Sequence, residues 1–300
     1  MRVVARAPGK VNLCLFVGPR RSDGRHEAVT LLESVSLADE LSLDTRDGAG
    51  ADDVRSPGVE GPNIVARALE GLRARGWGGP PVTVEITKRV PVAAGMGGGS
   101  ADAAAVLRLA RHLAPVADTE LQELAVELGS DVPSQLRPGL AVGTGGGELV
   151  EHREPLAPHA FVIVPVPHRL STGDVYAEAD RLGLERGTAD LEHIRRALID
   201  ALAAGAQLPT ELIVNDLERA ALSLCPSAED ARAALRDAGA DHAMVSGSGP
   251  TVFGLFWGPD QHARAEAAVR AVSGKFSGAA SALAVAADFG HPRLSAQSHD

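Results

Sequence analysis

The stretch that most constrains this chain is PVAAGMGGGSADAAAVLRLA, Pro91 to Ala110, where four glycines fall within five residues directly ahead of a helical pattern. Glycine loses more backbone freedom on folding than any other residue, so such a run implies a use for bare backbone. Upstream, VTVEITKRV puts Val82, Val84 and Ile86 on one side with a period of two, the signature of a strand. Downstream, Ala103, Val106, Leu107, Ala110 and Leu113 follow helical spacing, and Leu121, Leu124, Ala125 and Leu128 do so again. A strand, a glycine loop and a helix make an anion site, because unpaired N–H groups and the positive end of the helix dipole point into the loop. Two named phosphate motifs fail here: a P-loop needs a lysine after Gly99, and a dinucleotide fingerprint needs glycine where Ser100 stands. The alternative is a tight turn without a ligand, for which two glycines would suffice.

The whole chain sets wider bounds. Its 300 residues, 45% of them apolar, can bury a sizeable core and fill two domains. A net charge of -10 with acids and bases interleaved leaves no basic footprint for nucleic acid or an anionic membrane. Cys14 and Cys225 stand far apart in apolar stretches and read as buried thiols in a reducing compartment, not as a disulfide framework or a metal site. Met1 to Lys10 has no apolar signal core, and no segment reaches the roughly 18 apolar residues of a membrane span, so the expectation is a cytoplasmic protein.

Along the chain, alternation over Val11–Val17 and the run Val29–Leu43 predict strands, a Gly/Asp/Pro-rich loop spans Asp47–Pro62, and Ile64–Leu72 predicts a helix stopped by Gly76. GLAVGTGGGELVEH predicts a hairpin turning at Gly145–Gly147. AFVIVPVP, Ala160 to Pro167, predicts the buried strand that opens a second domain. Helices then follow over Gly173–Leu182, Leu191–Ala204, Asn215–Leu224 and Ser227–Ala238, strands over His242–Ser246 and Thr251–Trp257, a helix over Pro259–Val272 and a strand over Ala282–Ala287. That order suits an α+β layer with helices on one face of an antiparallel sheet.

Three further places carry chemistry. Lys10 and Asn12 lie two apart on a predicted strand and so share a face, although such a pair is commonly edge decoration. Asp131, in GSDVPSQL, stands where a capping or turn residue would stand. Gly247, Ser248, Gly249 and Pro250 join two strands, as a plain turn or as backbone offered to a ligand.

In these pieces the sequence resembles the GHMP kinase superfamily, through APGKVNL (Ala7–Leu13), PVAAGMGGGSADAA (Pro91–Ala104) and SGSGPTVFGLF (Ser246–Phe256) in that order. Asp23, Gly24 and His26 in SDGRHE, GSDVP around Asp131, STGDVY (Ser171–Tyr176) and NDLE from Asn215 are most similar to the branch whose substrate is a cytidine-diphosphate-linked methylerythritol, on the non-mevalonate route to isopentenyl diphosphate. The resemblance implies a two-domain α+β fold: a ribosomal-protein-S5-like ATP-binding and catalytic domain over 1–155, a ferredoxin-like domain over 156–290, and a flexible tail over 291–300. It implies ATP and Mg²⁺, a small-molecule substrate, no nucleic acid or membrane, and a monomer or homodimer.

By the same resemblance Asp131 accepts the hydroxyl proton of the substrate and Lys10 steadies that aspartate and the developing charge. Pro91, Val92, Ala93, Ala94, Gly95, Met96, Gly97, Gly98, Gly99, Ser100 and Ala101 wrap the ATP phosphates. Asn12, His26 and Tyr176 bind the substrate, with His26 bonding the cytosine edge and Tyr176 stacking on it. Arg25 stands where the family offers a second aromatic, and a guanidinium can stack on a base or pair with a diphosphate. Asp102 departs from the family's asparagine and is not counted as catalytic. No magnesium ligand is assigned; Ser100 is a candidate, and phosphates and water can hold the ion. The alternatives are a homoserine-type or mevalonate-type kinase of the same superfamily, which would not need the His26 and Tyr176 pair, or a non-catalytic nucleotide-binding relative, which would need neither Lys10 nor Asp131.

Overall fold

The structure, a computed structural model, describes residues 1–294 apart from Ala49, Glu60 and Ala93. Two strands dominate it: β1 (Arg2–Arg20) and β2 (His26–Thr45) pair antiparallel over nearly their whole length. Val3, Ala5 and Ala7 bury one face of β1, but from Ala7 to Gly18 every residue is buried, because the second half of the strand is covered on both sides. Register shifts interrupt the pairing between Pro8 and Lys10 and between Asn12 and Cys14. Such irregularities re-aim side chains, and these two flank the pair Lys10 and Asn12.

The loop expected over Asp47–Pro62 contains a short strand, β3 (Asp53–Arg55), which has no apolar alternation to announce it. Helix α1 (Ile64–Ala74) starts at Asn63, whose side chain accepts the Val65 N–H, and β4 (Val82–Thr87) runs parallel to β3 and antiparallel to the end of β2. Helix α2 (Gly98–Leu113) is buried around its whole circumference from Ala101 to Leu107. Four alanines among those seven residues let it lie close between β1 and the helices α1 and α3 (Asp118–Leu128). A single turn, α4 (Val132–Gln135), leads into the expected hairpin of β5 (Leu140–Thr144) and β6 (Leu149–Arg153), and β5 pairs with the start of β2.

A second sheet begins with β7 (His159–Val164), buried at every residue. Helices α5 (Thr172–Leu182), α6 (Thr188–Ala201), α7 (Glu218–Leu224) and α8 (Ser227–Asp237) precede β8 (His242–Val245) and β9 (Val252–Trp257). Helix α9 (Gln261–Val272) and β10 (Ala280–Leu283) complete an antiparallel sheet of order β10-β7-β9-β8. One face carries Val162, Val164 and Phe256 against α5, α7, α8 and α9. The other carries Phe161, Ile163 and Phe253 against Val11, Leu13 and Phe16 of β1 and against α6. The α+β expectation holds, with α5, α7, α8 and α9 on one face of the antiparallel sheet and the first sheet, together with α6, packed on its other face.

The first residues of the expected tail over 291–300 are paired into a strand. After β10, which is four residues long and ends before the predicted Ala287, the chain returns to the first sheet, and β11 (Arg293–Leu294) pairs with Val4 and Val3. Residues 295–300 lie outside the described residues. Both cysteines are free and buried, as expected, and burial pushes the Cys14 thiol up to about 12.

Candidate active site

The glycine run and the SGSGP turn meet at the middle of β1. Gly97 starts α2 in a left-handed conformation with φ +65°, and among the described residues no side chain caps the helix. The run must come that close: a Cβ on Gly95 would fall 2.7 Å from the Gly249 carbonyl oxygen, and one on Gly97 would fall 3.1 Å from Lys10 Cγ. From the other side, a Cβ on Gly247 would fall 2.8 Å from Asn12 Oδ1. Two glycine loops therefore close on one lysine and one asparagine.

Lys10 is not edge decoration. Its side chain is 6% exposed, and its ammonium donates to Asn12 Oδ1 at 2.7 Å and to the Gly95 carbonyl at 2.9 Å. It also lies 3.5 Å from Asp131 Oδ2, a carboxylate left 32% open to the cleft. Asn12 is oriented in turn by donating to Thr30 Oγ1 at 2.9 Å, while its backbone N–H donates to Ser246 Oγ. Asp131 stands in the turn that leads into α4, at its N-cap position, yet its side chain makes no capping bond and its carboxylate faces Lys10.

A cleft of about 580 Å³ opens from this pair, bordered by Lys10, Asn12, Arg25, His26, Asp131 and Tyr176 together with Gly95, Gly97 and Gly247. His26 and Tyr176 stack with ring centroids 5.2 Å apart. His26 Nδ1 is 3.0 Å from the Gly18 carbonyl, an acceptor only, and Nε2 is 3.1 Å from Asp180 Oδ1, which leaves the ring no uncommitted nitrogen in this conformation. Burial first, then the charge of Asp131, pushes the Tyr176 phenol up to about 12, so it stays a neutral hydroxyl. Arg25 is held by Asp23 at 3.0 Å and by Glu148 at 3.2 Å. Its guanidinium therefore arrives at the cleft already paired with acids.

On the other side of the run lies a cleft of about 350 Å³, bordered by Pro91, Val92, Ala94, Gly95–Ser100, Asn63, Lys88 and Asp102. Ala101 follows in the first turn of α2, fully buried, and Ala93 lies outside the described residues. Lys88 and Asp39 are functional neighbours that the motif reading missed. The Lys88 ammonium bonds both Asp39 and Asp102, and a Cβ on Gly98 would lie 3.4 Å from it. Burial alone would lower the Lys88 ammonium, but the two carboxylates outweigh it and hold it above its ordinary value. Burial pushes the Asp102 carboxyl up to about 7; Lys88 opposes that rise and Asp39 adds to it. The sequence signal was there: a lysine seven positions ahead of Gly95, and an acid at Asp39 within the apolar pattern of β2.

A cleft of this kind, with an open carboxylate beside a buried lysine and a glycine loop at a helix start, suits a small-molecule kinase, and the comparisons with known proteins agree. The model of the GHMP kinases N terminal domain matches residues 63–139, and that of the GHMP kinases C terminal matches residues 191–278. A 4-diphosphocytidyl-2-C-methyl-D-erythritol kinase of Corynebacterium efficiens is 40% identical over 269 residues, covering 84% of each chain. One from Anaeromyxobacter sp. (strain K) is 39% identical, covering 95% of this chain and 90% of its own. The crystal structure of a 4-(cytidine 5'-diphospho)-2C-methyl-D-erythritol kinase superposes with a TM-score of 0.70 at 34% identity, over 94% of this chain and 99% of the other. A homoserine kinase from Cytophaga hutchinsonii, at 18% identity and a TM-score of 0.68, shares the fold. The chain belongs to the 4-diphosphocytidyl-2-C-methyl-D-erythritol kinase family of the GHMP kinases. No helix among the described residues is long and apolar enough to cross a membrane.

Proposed function

We propose that this protein transfers the γ-phosphoryl group of ATP to the 2-hydroxyl of 4-diphosphocytidyl-2-C-methyl-D-erythritol. The observation that carries the reading is the Asp131 carboxylate, uncapped at its own helix start and set 3.5 Å from the buried Lys10 ammonium where two glycine loops meet. Phosphoryl transfer of this kind is catalysed mainly by positioning and charge stabilisation. Asp131 accepts the proton of the attacking hydroxyl. Lys10, fixed by Asn12 and Gly95, orients Asp131 and offsets negative charge on the transferring group. N–H groups of the loop Pro91–Ala101 hold the phosphates, with Lys88 supplying a cation beside Gly98.

The residues fit a magnesium ion carried in with the nucleotide. Ser100 offers a hydroxyl at the border of the nucleotide cleft, and Asp102, two residues further on, borders the same cleft with a buried Oδ1 that has no hydrogen-bond partner among the described residues, so both are oxygen donors of the kind this cation takes. When bound, the ion neutralises phosphate charge. On the substrate side, Asn12, His26, Tyr176 and Arg25 line the space for the cytidine diphosphate. Residues 1–155 form the ATP-binding and catalytic domain in this reading, 156–290 form the C-terminal domain, and the protein works in the cytoplasm as a monomer or homodimer without nucleic acid or membrane.

The test is ADP release from ATP and Mg²⁺ with 4-diphosphocytidyl-2-C-methyl-D-erythritol, methylerythritol phosphate, homoserine and mevalonate offered separately. Turnover confined to the cytidylated alcohol is expected. Turnover with another alcohol, or with none, overturns the assignment.

A further inference from the structure

Among the described residues the Asp131 carboxylate meets one cation, Lys10, and at 3.5 Å the pair is longer than a charge-assisted hydrogen bond. The separation of the two is therefore set by the backbone segments that carry them. On the side of Asp131 that segment is α4, a single turn too short to hold itself in place. Ser134 Oγ donates to the Asp131 carbonyl at 2.9 Å and the Leu136 N–H to the Pro133 carbonyl at 3.3 Å, bonds that shape the turn without attaching it to anything else.

The polar attachment comes from α2. Arg108, on that helix, donates through Nη1 to the Gln135 carbonyl at the end of α4 and through Nη2 to the Arg6 carbonyl on β1 at 3.1 Å. Gln135 lies four residues after Asp131, and Arg6 four residues before Lys10. One planar fork thus bridges the two segments that carry the pair. Desolvation lowers the Arg108 guanidinium to about 10, which leaves it charged at neutral pH, and no carboxylate among the described residues pairs with it. Ser34 of β2 adds a longer bond, 3.4 Å, to the Gln135 side chain, and Val132 packs in the core. Arg108 is the polar group that reaches both α4 and β1.

We propose that Arg108 is a positioning residue of this kinase, its guanidinium setting the separation of Lys10 and Asp131 from behind the cleft. It borders neither the substrate cleft nor the nucleotide cleft, so it acts through the pair. The inference rests on the proposed function, since it takes Asp131 as the proton acceptor.

The test is a cycle of four proteins, unmodified, Arg108→Met, Asp131→Asn and the double variant, each assayed for kcat and for both KM values at a temperature where it is folded. A misplaced acceptor slows the transfer, so Arg108→Met should lower kcat by about tenfold or more while both KM values move less than about twofold. With the acceptor already removed, the same substitution should lower kcat less than about twofold. In Arg108→Lys the ammonium keeps a charge but not the fork, so kcat should lie between those of Arg108→Met and the unmodified protein. A merely structural role would lower kcat by the same factor in both backgrounds. Equal factors, or an Arg108→Met protein with the kcat of the unmodified one, overturn the inference and leave the kinase assignment standing. If Arg108→Met does not fold, Arg108→Lys takes its place in the cycle. A near-normal kcat in Asp131→Asn overturns the reading of Asp131, and the inference with it.

Discussion

At the scale of single residues, the site is a set of short-range constraints around Lys10. Asp131→Asn keeps the shape of the side chain and removes the proton acceptor, so kcat should fall by roughly 10² to 10⁴ while the KM for ATP stays near its original value. Steady-state kinetics with both substrates varied checks this, and a near-normal kcat would remove Asp131 from the mechanism. Gly97→Ala tests the packing behind the lysine. The position holds φ +65°, and the added Cβ would meet Lys10 Cγ and Cε at 3.1 and 3.2 Å. The left-handed conformation costs an alanine about 1–2 kcal/mol, and the displaced lysine should lower kcat by at least about tenfold. A variant with full activity would show that Lys10 tolerates displacement.

At the scale of elements, the glycine loop is held from outside its own sequence. Asp39, fully buried on β2, accepts the Arg89 and Val90 backbone N–H groups on one carboxylate oxygen at 2.5 and 2.8 Å, and its other oxygen takes the Lys88 ammonium. The turn between β4 and the glycine run is therefore fixed by β2. In Asp39→Asn one amide oxygen still accepts from the backbone, but the NH₂ group now faces an ammonium. Hydrogen bonds to charged groups are worth about 1.5–3 kcal/mol, so the KM for ATP should rise about tenfold or more. The KM for the alcohol should move less than about twofold. If both rise together, Asp39 supports the fold at large and not the loop.

At the scale of the whole molecule, one buried ion pair ties the two sheets. His159, at the start of β7, lies 2.8 Å from Glu33 on β2 and 2.7 Å from the Ala157 carbonyl, and both side chains of the pair are buried. Burial would lower the His159 imidazole, but Glu33 and the carbonyl outweigh it and hold it above its ordinary 6.5. A raised folded value binds its proton more tightly in the folded state, so the stabilisation is complete below 6.5 and is lost as pH rises through the folded value. The thermal midpoint should fall as pH rises above about 6.5, and His159→Gln should flatten that fall; equal slopes in the two proteins would exclude the pair as its source.

The same scale separates what was legible in the sequence from what was not. Local rules made the elements readable: period two in Val82–Ile86, helical spacing from Ala103 to Leu113 and the turn glycines at 145–147 all appear in place. The glycine run announced a close approach of bare backbone, because steric demands are written in residue type. Short, weakly patterned pieces were not legible. Strand β3 lacks apolar alternation, and β11 exists only because the chain end returns to pair with Val3 and Val4. Lys88 and Asp39 were visible as residues but not as partners, since 49 positions separate them. The sequence by itself determined which segments form strands, helices and tight glycine turns, because those depend on neighbours within a few residues. Only the tertiary structure decided that Lys10 faces Asp131, that Asp39 holds the loop and that Asp180 takes His26, because charge and hydrogen bonding act across space and the chain order does not encode that distance.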